Sequence, residues 1–305
     1  MSDPLFNRVA LIGIGLIGSS LARVIRREWP RTRIVACARH AETLEAVCRL
    51  GIADETTNDP AAAAAGADLV VIATPVLAYA EIGRRIAPAM ARGAIVTDVG
   101  SVKQAVIRDL QPSLPPGVHL VPGHPVAGTE HSGPEAGFAE LFHDRWCILT
   151  PLPDTDPAAL GKVTAMWERA GMRVATMAPD HHDKVLAVTS HLPHLIAYTI
   201  VGTATELGQD LQSEVVAYSA GGFRDFTRIA ASDPVMWRDI FLTNREAVLE
   251  LLQRFSEDLT ALQRAIRRGD GETLYDWFDR TRAIRRSIIA EGQDDARPDF
   301  GRAHD

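Results

Sequence analysis

The chain has 305 residues, of which 46% are hydrophobic and 23% are charged. This balance is typical of a soluble globular protein and excludes a fibrous or wholly disordered chain, and the length suits two domains. The formal net charge of −7 excludes the overall basic balance that nucleic-acid-binding proteins usually show.

Short apolar runs alternate with helical patterns from Arg8 to about residue 178. The runs are almost continuously apolar, which is typical of parallel strands covered by helices on both faces. The pattern therefore predicts an α/β domain with a parallel sheet. The predicted strands are Arg8–Ile14, Arg33–Ala38, Asp68–Thr74, Ala94–Val99, Val118–Pro122, Arg145–Thr150 and Arg173–Met177. The predicted helices are Leu16–Glu28, Ala41–Leu50, Val76–Met90, Val102–Leu110 and Asp156–Ala170, with a short one at Ala61–Ala65.

The pattern changes after Pro179, where helices are predicted and no strand is. The stretch Gly221–Asp233 interrupts these helices. We therefore predict a dinucleotide-binding domain over 1–178, an all-α domain over 179–290 and a polar, disordered tail over 291–305. The predicted helices of the second domain are Asp180–Leu207, Leu211–Tyr218, Pro234–Ala265 and Gly271–Ala290.

Three isolated cysteines, Cys37, Cys48 and Cys147, provide neither a C-x-x-C motif nor an even set, so neither disulfides nor a zinc site are expected. The N-terminus does not resemble a signal peptide. The longest apolar windows considered, Val9–Gly18 and Leu69–Ala80, are too short to span a bilayer. We expect a cytoplasmic protein that binds no membrane.

The first strand is followed by a glycine-rich loop with the spacing G-x-G-x-x-G, and a predicted helix follows the loop. In that context the first glycine permits a tight turn, the second lets a pyrophosphate approach, and the third lets helix pack against strand. The alternative is a glycine turn needed only for packing. The motif favours a Rossmann-type dinucleotide site made of Gly13, Gly15, Leu16, Ile17 and Gly18, with Thr74 and Ser101 at neighbouring strand ends.

The second strand ends without the acidic residue that usually binds the ribose 2′-hydroxyl of NAD. Arg39 stands there instead and could meet the 2′-phosphate of NADP, although a solvated surface arginine is the alternative. We expect tolerance of NADP without excluding NAD.

Two strand ends carry candidate catalytic residues. Gly100 would expose the Ser101 hydroxyl, although Ser101 could also cap the next helix. His124 stands between Gly123 and Pro125, and a histidine there could take a proton from a hydroxyl group. A purely structural histidine is the alternative.

Eight of the ten histidines fall between residues 119 and 194. His191 and His194 would share a helix face as a polar pocket wall, and no acidic residue completes a metal site with them. Farther along, Gly221 and Gly222 predict a sharp bend beside Arg224 and Arg228, which could bind a carboxylate. The alternative is surface ion pairs with Asp225.

Taken together, several segments resemble those of the prephenate/arogenate (cyclohexadienyl) dehydrogenases of tyrosine biosynthesis. The resemblance extends from Val9 to Asn244. The segments are GIGLIG, DVGSVK, GHPVAGTEHSG, SHLPH and GGFRDFTRIAASDPVMWRDI.

The resemblance implies oxidative decarboxylation of prephenate or arogenate with hydride transfer to NAD or NADP, and a helical dimerisation domain. It implies that His124 accepts the proton of the ring hydroxyl, that Ser101 orients it and that Arg228 binds substrate carboxylate. His194 would be a further pocket histidine. The pocket rim would include Gly222, Asp225 and Trp237, and the remaining histidines would be structural or at the surface.

Two other functions stay open on the sequence. A two-domain reductase of β-hydroxy acids would use a catalytic lysine in its helical domain, but the surroundings of Lys184 do not resemble that motif. A dinucleotide-sensing regulator would keep the glycine loop without needing Ser101, His124 and Arg228 together.

Overall fold

The structure is a computed structural model that describes residues 4–206 and 221–288. The helix predicted at Leu211–Tyr218 and the predicted tail 291–305 lie outside the described residues. The chain divides into two compact units, Met1–Val248 and Leu249–Asp305. The predicted domain boundary near Ala178 stays a prediction.

A six-stranded parallel sheet forms the centre of the first unit, as the apolar runs predict. Its strand order is β3-β2-β1-β4-β5-β6, which places the first strand in the interior beside the point where the order reverses. Ligands of such sheets bind at the carboxyl ends of the strands near that point. The strands are β1 (Arg8–Ile12), β2 (Arg33–Cys37), β3 (Glu55–Thr57), β4 (Leu69–Ile72), β5 (Ile95–Asp98) and β6 (His119–Val121).

Helices cover both faces of the sheet because successive side chains of each strand point to opposite sides. In β1, Val9 and Leu11 join one apolar cluster, whereas Ala10 and Ile12 join the other. The helices of this region are α1 (Leu16–Glu28), α2 (Ala41–Leu50), α3 (Pro60–Ala64), α4 (Tyr79–Ile86), α5 (Lys103–Leu110) and α6 (Pro157–Arg169).

A separate three-stranded sheet follows, with the order β7-β8-β9. It consists of β7 (Gly123–Pro125), β8 (Trp146–Leu149) and β9 (Arg173–Thr176). The strand predicted at Val118–Pro122 was therefore wrong at its last residue, because β6 ends at Val121 and β7 begins at Gly123. Pro122 has no N–H to donate to a ladder, and the chain passes there from the large sheet into β7. Strand β3 was missed because it is three residues long and polar.

One continuous helix of 27 residues, Pro179–Thr205, follows the sheets. It comprises α7 (Pro179–Leu186), a π-helical segment (Ala187–His191) and α8 (Leu192–Thr205). By length and composition alone this helix could cross a membrane. The two apolar windows named from the sequence, Val9–Gly18 and Leu69–Ala80, lie elsewhere in the chain and did not predict it. It also carries His182 and Asp183, whose side chains are buried.

Two predictions for the later helices were wrong. Gly221 and Gly222 lie in the first turn of helix α9 (Gly221–Thr227) and not in a sharp bend. The helix predicted over Pro234–Ala265 is broken at Asn244 into α10 (Pro234–Thr243) and α11 (Arg245–Arg268). The break frees the Asn244 side chain for buried hydrogen bonds. The last described helix is α12 (Gly271–Ile288).

Candidate active site

The glycine loop connects β1 to α1 at the carboxyl edge of the sheet. Gly13 has φ 95°, and its N–H donates to Cys37 O at 2.9 Å. A Cβ atom on Gly13 would overlap Ala73 O, and one on Gly18 would overlap Gly13 O. The turn and the helix packing therefore both require glycine at these positions.

Gly15 is different, because no heavy atom lies within 4 Å of where its Cβ would be. It is also the N-cap of α1, and no side chain caps that helix end. Open space beside uncapped helical N–H groups fits the pyrophosphate of a dinucleotide. Leu16 and Ile17 pack against the core beside it, and the Thr74 backbone borders Gly13.

Arg39 is exposed just beyond the carboxyl end of β2. The residues from Cys37 to His40 include no Asp or Glu. This end of β2 therefore carries an exposed guanidinium group and no carboxylate of its own.

Ser101 lies in the turn between β5 and α5 and is partly buried. It does not cap α5, whose N-cap is Val102. The cap comes from another helix, because the Asp183 carboxylate accepts the N–H groups of Lys103 at 2.7 Å and Gln104 at 2.9 Å. A carboxylate at this helix end is favoured by the helix dipole.

His124, on β7, belongs to a buried chain of polar side chains. Its Nδ1 lies 2.9 Å from His182 Nε2, and His182 Nδ1 lies 2.8 Å from Asp183 Oδ1. Only 7% of the His124 surface is exposed, and His182 and Asp183 are more deeply buried. The structure thus links His124 through His182 to a carboxylate on α7.

The carboxylate fixes the tautomers along this chain, as we infer from its hydrogen bonds. Asp183 only accepts, so His182 carries its proton on Nδ1 and presents a bare Nε2. His124 must then carry its proton on Nδ1, which leaves His124 Nε2 with a free lone pair. That nitrogen is the one available to a substrate.

The surroundings of His124 keep its ring neutral. Burial lowers its pKa well below 6.5, and the neighbouring charges of His182, Lys103 and His191 act in the same direction. Burial also lowers the pKa of His182, against the opposing effect of Asp183. A neutral imidazole at neutral pH can act as a proton acceptor.

His191 and His194 both lie near Trp237 but in different surroundings. His191 is buried, with Nδ1 3.1 Å from Asn244 Nδ2, and burial lowers its pKa to about 4. His194 is less buried and stacks on the Trp237 ring at 3.7 Å between centroids. Its Nδ1 lies 2.8 Å from Ser190 O. The predicted pair is therefore one core histidine and one histidine at the edge of the core.

Arg228 lies in a short 3₁₀ helix that follows α9, Arg228–Ala231. Its Nη1 is 3.0 Å from Glu130 Oε2, and both side chains are partly exposed. The charge of Arg228 contributes to lowering the pKa of His194, after the larger effect of burial. Gly222 and Asp225 are on the exposed helix α9 just before it.

Sequence reasoning missed the buried groups around His124. His182 was assigned to the structural or surface histidines, and Asp183 was not considered. A signal was present, since an adjacent His-Asp pair opens the long apolar helix. In residues 4–206 and 221–288 no group of three metal-ligating side chains is arranged to hold a metal ion.

Two protein-family models match consecutive parts of the chain. The prephenate dehydrogenase nucleotide-binding domain matches residues 21–176, and the prephenate dehydrogenase dimerization domain matches residues 178–280. The chain is 41% identical over 283 residues to the cyclohexadienyl dehydrogenase of Zymomonas mobilis, covering 93% of this chain and 96% of that protein. It is 34% identical to the prephenate dehydrogenase of Bacillus subtilis, covering 89% of this chain and 73% of that protein.

Solved structures agree with these matches. The prephenate dehydrogenase of Aquifex aeolicus, in complex with hydroxyphenyl propionate and NAD+, is 36% identical with a TM-score of 0.85. That similarity covers 92% of this chain and 98% of the other. The Synechocystis arogenate dehydrogenase is 26% identical with a TM-score of 0.75, over 92% of this chain and 99% of the other. Since the family models and these relatives extend over most of its length, the chain belongs to the prephenate/arogenate dehydrogenase family.

Proposed function

We propose that this protein oxidatively decarboxylates prephenate, arogenate or both, with NAD+ or NADP+ as the hydride acceptor. The products are 4-hydroxyphenylpyruvate or tyrosine, together with CO2. The observation that carries the proposal is the orientation of His124, whose Nδ1 faces His182 so that Nε2 is left for a substrate hydroxyl. His124 follows the carboxyl end of β6, on the same sheet edge as the glycine loop.

The chemistry needs one proton acceptor, which we assign to His124. Its Nε2 takes the proton of the ring hydroxyl as the carbinol carbon loses hydride. The bound nicotinamide supplies the hydride acceptor. The ring carboxylate then leaves as CO2, and its bonding electrons make the ring aromatic with negative charge on the ring oxygen. His124 returns the proton to that oxygen, and Asp183 stabilises the transient imidazolium through His182.

Arg228 is the group we assign to a substrate carboxylate. A guanidinium has five donors, and the Glu130 contact occupies one nitrogen. The pairing also holds Arg228 against the loop that follows His124. His194 and Trp237 would form the adjacent pocket wall, with Gly222 and Asp225 at its rim. Ser101 would contact the ring hydroxyl and the nicotinamide.

The choice of dinucleotide follows from the end of β2. We infer that the site accepts NADP+ as well as NAD+, because Arg39 is exposed there and no acidic residue occupies the stretch Cys37–His40. A carboxylate at this place would repel a 2′-phosphate, and none is supplied by that stretch.

We also infer that the protein works as a homodimer in the cytoplasm. The match to a dimerization domain supports the dimer. Large apolar side chains exposed on α11 and α12 support it independently, since exposed apolar surface marks interaction sites. They include Leu249, Leu259, Ile266, Tyr275 and Phe278.

The first prediction is tested by a steady-state assay of each substrate, prephenate and arogenate, with each dinucleotide, NAD+ and NADP+. We expect reduced dinucleotide and CO2 in equal amounts for at least one combination. His124→Asn should lower kcat by about 10²- to 10⁴-fold, because the proton acceptor is lost. If all four combinations gave no reduced dinucleotide, the proposed function would be wrong, and full turnover by His124→Asn would refute only the assignment of the base.

A further inference from the structure

A fully buried ion pair lies beside the two segments that carry Ser101 and His124. Lys103 Nζ is 2.6 Å from Asp98 Oδ2, and neither side chain has any exposed surface. Removing two charges from water is costly, and such a pair is often no more stabilising than apolar residues of the same volume. A role beyond stability would explain a buried pair at this place.

The hydrogen bonds of the pair join the two segments. Asp98 Oδ2 accepts the N–H of Gly100 at 2.7 Å, within the turn that carries Ser101. Asp98 Oδ1 accepts the N–H of Gly123 at 3.1 Å, and Lys103 Nζ donates to Gly123 O. Both main-chain groups of the residue before His124 are therefore held by the ion pair, and Tyr79 Oη adds a contact to Asp98 Oδ2 at 3.4 Å.

A second connection runs from Lys103 to the other side of His124. The Lys103 N–H donates to Asp183 Oδ1 at 2.7 Å, and the same oxygen lies 2.8 Å from His182 Nδ1. Lys103 thus contacts the strand of His124 with its ammonium group and the carboxylate of the His182–Asp183 chain with its main chain. Lys103 therefore connects the strand of His124 with the His182–Asp183 chain that contacts its ring.

We propose that Lys103, held by Asp98, is a positioning residue for the proposed reaction: it aligns the Ser101 turn with the strand of His124. Its ammonium group is also one of the charges that act on the His124 ring. This proposal rests on the proposed function. Lys103 touches neither substrate nor cofactor in it and acts only through the residues that do.

The charges around His124 determine in which direction the pKa of its ring changes when Lys103 is replaced. His182 on α7, Lys103 on α5 and His191 in the π-helical segment lower the pKa of His124, in addition to burial. The other titratable groups of this cluster are Asp98 on β5, Asp183 on α7, the Cys147 thiol on β8 and the Tyr79 hydroxyl on α4. Burial lowers the pKa of Lys103, while Asp98 and Asp183 oppose that change.

Lys103→Met tests the proposal, because methionine keeps much of the volume and removes the charge. A proton acceptor must be neutral, so activity is lost as the pH falls through the pKa of His124. Without the nearby ammonium that pKa should rise, and the acidic limb of kcat/KM should move up by about one pH unit. We also expect kcat to fall about tenfold or more at the pH optimum, because the two segments lose their common anchor.

Two further variants separate positioning from stability. Leu110→Ala, on the same helix and also buried, should lower the melting temperature without moving the acidic limb. The double variant Asp98→Asn with Lys103→Met leaves no unpaired buried charge and should fold if Lys103→Met alone does not. In either folded Lys103 variant, kcat at the wild-type value would overturn the proposal, and in folded Lys103→Met so would an acidic limb at the wild-type pH.

An NMR titration of the histidine rings, with His124 assigned from the His124→Asn spectrum, measures the same shift without turnover. We expect the His124 ring to titrate at higher pH in the folded Lys103 variant than in the wild type. An unchanged His124 titration would overturn the positioning proposal even for an active enzyme. A shifted titration in a protein that oxidises neither substrate would support the coupling of Lys103 to His124 and refute the proposed function alone.

Discussion

The His182 ring determines which nitrogen of His124 is available for chemistry. Its Nε2 faces His124 Nδ1, and its own Nδ1 faces Asp183, so a single ring orients His124 and connects it to a negative charge. Burial keeps water from replacing these contacts. In a Ser-His-Asp triad the carboxylate bonds directly to the histidine that acts as the base. Here the imidazole of His182 lies between the base, His124, and the carboxylate of Asp183.

We predict that His182→Phe will lower kcat by about 10- to 100-fold with little change in KM. Phenylalanine keeps the aromatic edge contact with His124 but cannot accept its Nδ1 proton, so the tautomer is no longer fixed. The neighbouring His181→Phe is the control, since His181 is exposed on the same helix. Equal kcat values for the two variants in a steady-state assay would contradict the role of His182.

The sequence-predicted part of this site rests on local motifs. The glycine loop, Ser101, His124 and Arg228 were chosen because their residue types and neighbours are adjacent in the sequence, and their roles stay predictions. The Asp98–Lys103 pair and the cap from Asp183 were not predicted. Asp183 lies 80 residues from the helix that it caps, and no local pattern encodes such a contact.

At the scale of elements, the β1–loop–α1 unit separates packing from binding. Gly18 faces the Gly13 carbonyl, whereas Gly15 faces open space. The two glycines belong to the same motif, yet only Gly18 is required by the fold of the chain. The folded chain therefore has no room for a side chain at Gly18, whereas it has room for one at Gly15.

We predict that Gly18→Ala will destabilise the protein by about 1–3 kcal/mol, because the new methyl group overlaps the Gly13 carbonyl. Gly15→Ala should leave the melting temperature of the free protein nearly unchanged, since its φ of −74° suits alanine. It should weaken dinucleotide binding about tenfold or more, because the methyl group occupies the space for the pyrophosphate. Thermal denaturation and calorimetric titration with NAD+ measure both effects, and wild-type affinity in Gly15→Ala would contradict this use of the loop.

The predictions of strands and helices were most accurate where a long apolar or helical pattern was followed by a clear turn signal in the sequence. The central strands and their helices were found for this reason. Strands β8 and β9 were also predicted, but β7 was missed because it is three residues long and directly follows β6, so the separation into a second sheet was not foreseen. The break at Asn244 has no proline or glycine to mark it, and the buried partners of the Asn244 side chain, Asp183 O and His191 Nδ1, are far away in the sequence.

At the scale of the whole molecule, the unusual feature is the amount of apolar surface that is exposed. In the helix Pro179–Thr205 only 22% of the most apolar window is buried within this chain. Separately, the unit Leu249–Asp305 exposes large apolar residues along its two described helices. Apolar surface on this scale is unfavourable in water, and a second copy of the chain would cover it.

We predict that the melting temperature will rise with protein concentration, because a dimer is stabilised by mass action. Light scattering should give about twice the chain mass of 33.1 kDa at micromolar concentration. A monomer at that concentration, with a melting temperature independent of dilution, would contradict the dimer. A detergent-free, fully soluble preparation would also distinguish a covered apolar helix from a membrane span.

The π-helical segment Ala187–His191 has a consequence for how this site can change. A π turn contains one residue more than an α turn, so it behaves as a single insertion that the helix has absorbed locally. Loss of one residue there would restore a regular helix while α7 and α8 kept the faces that they present now. His191 lies within the segment and His194 just after it. An insertion or deletion of one residue in this segment would therefore change the surroundings of His191 while His194 kept the face that packs against Trp237.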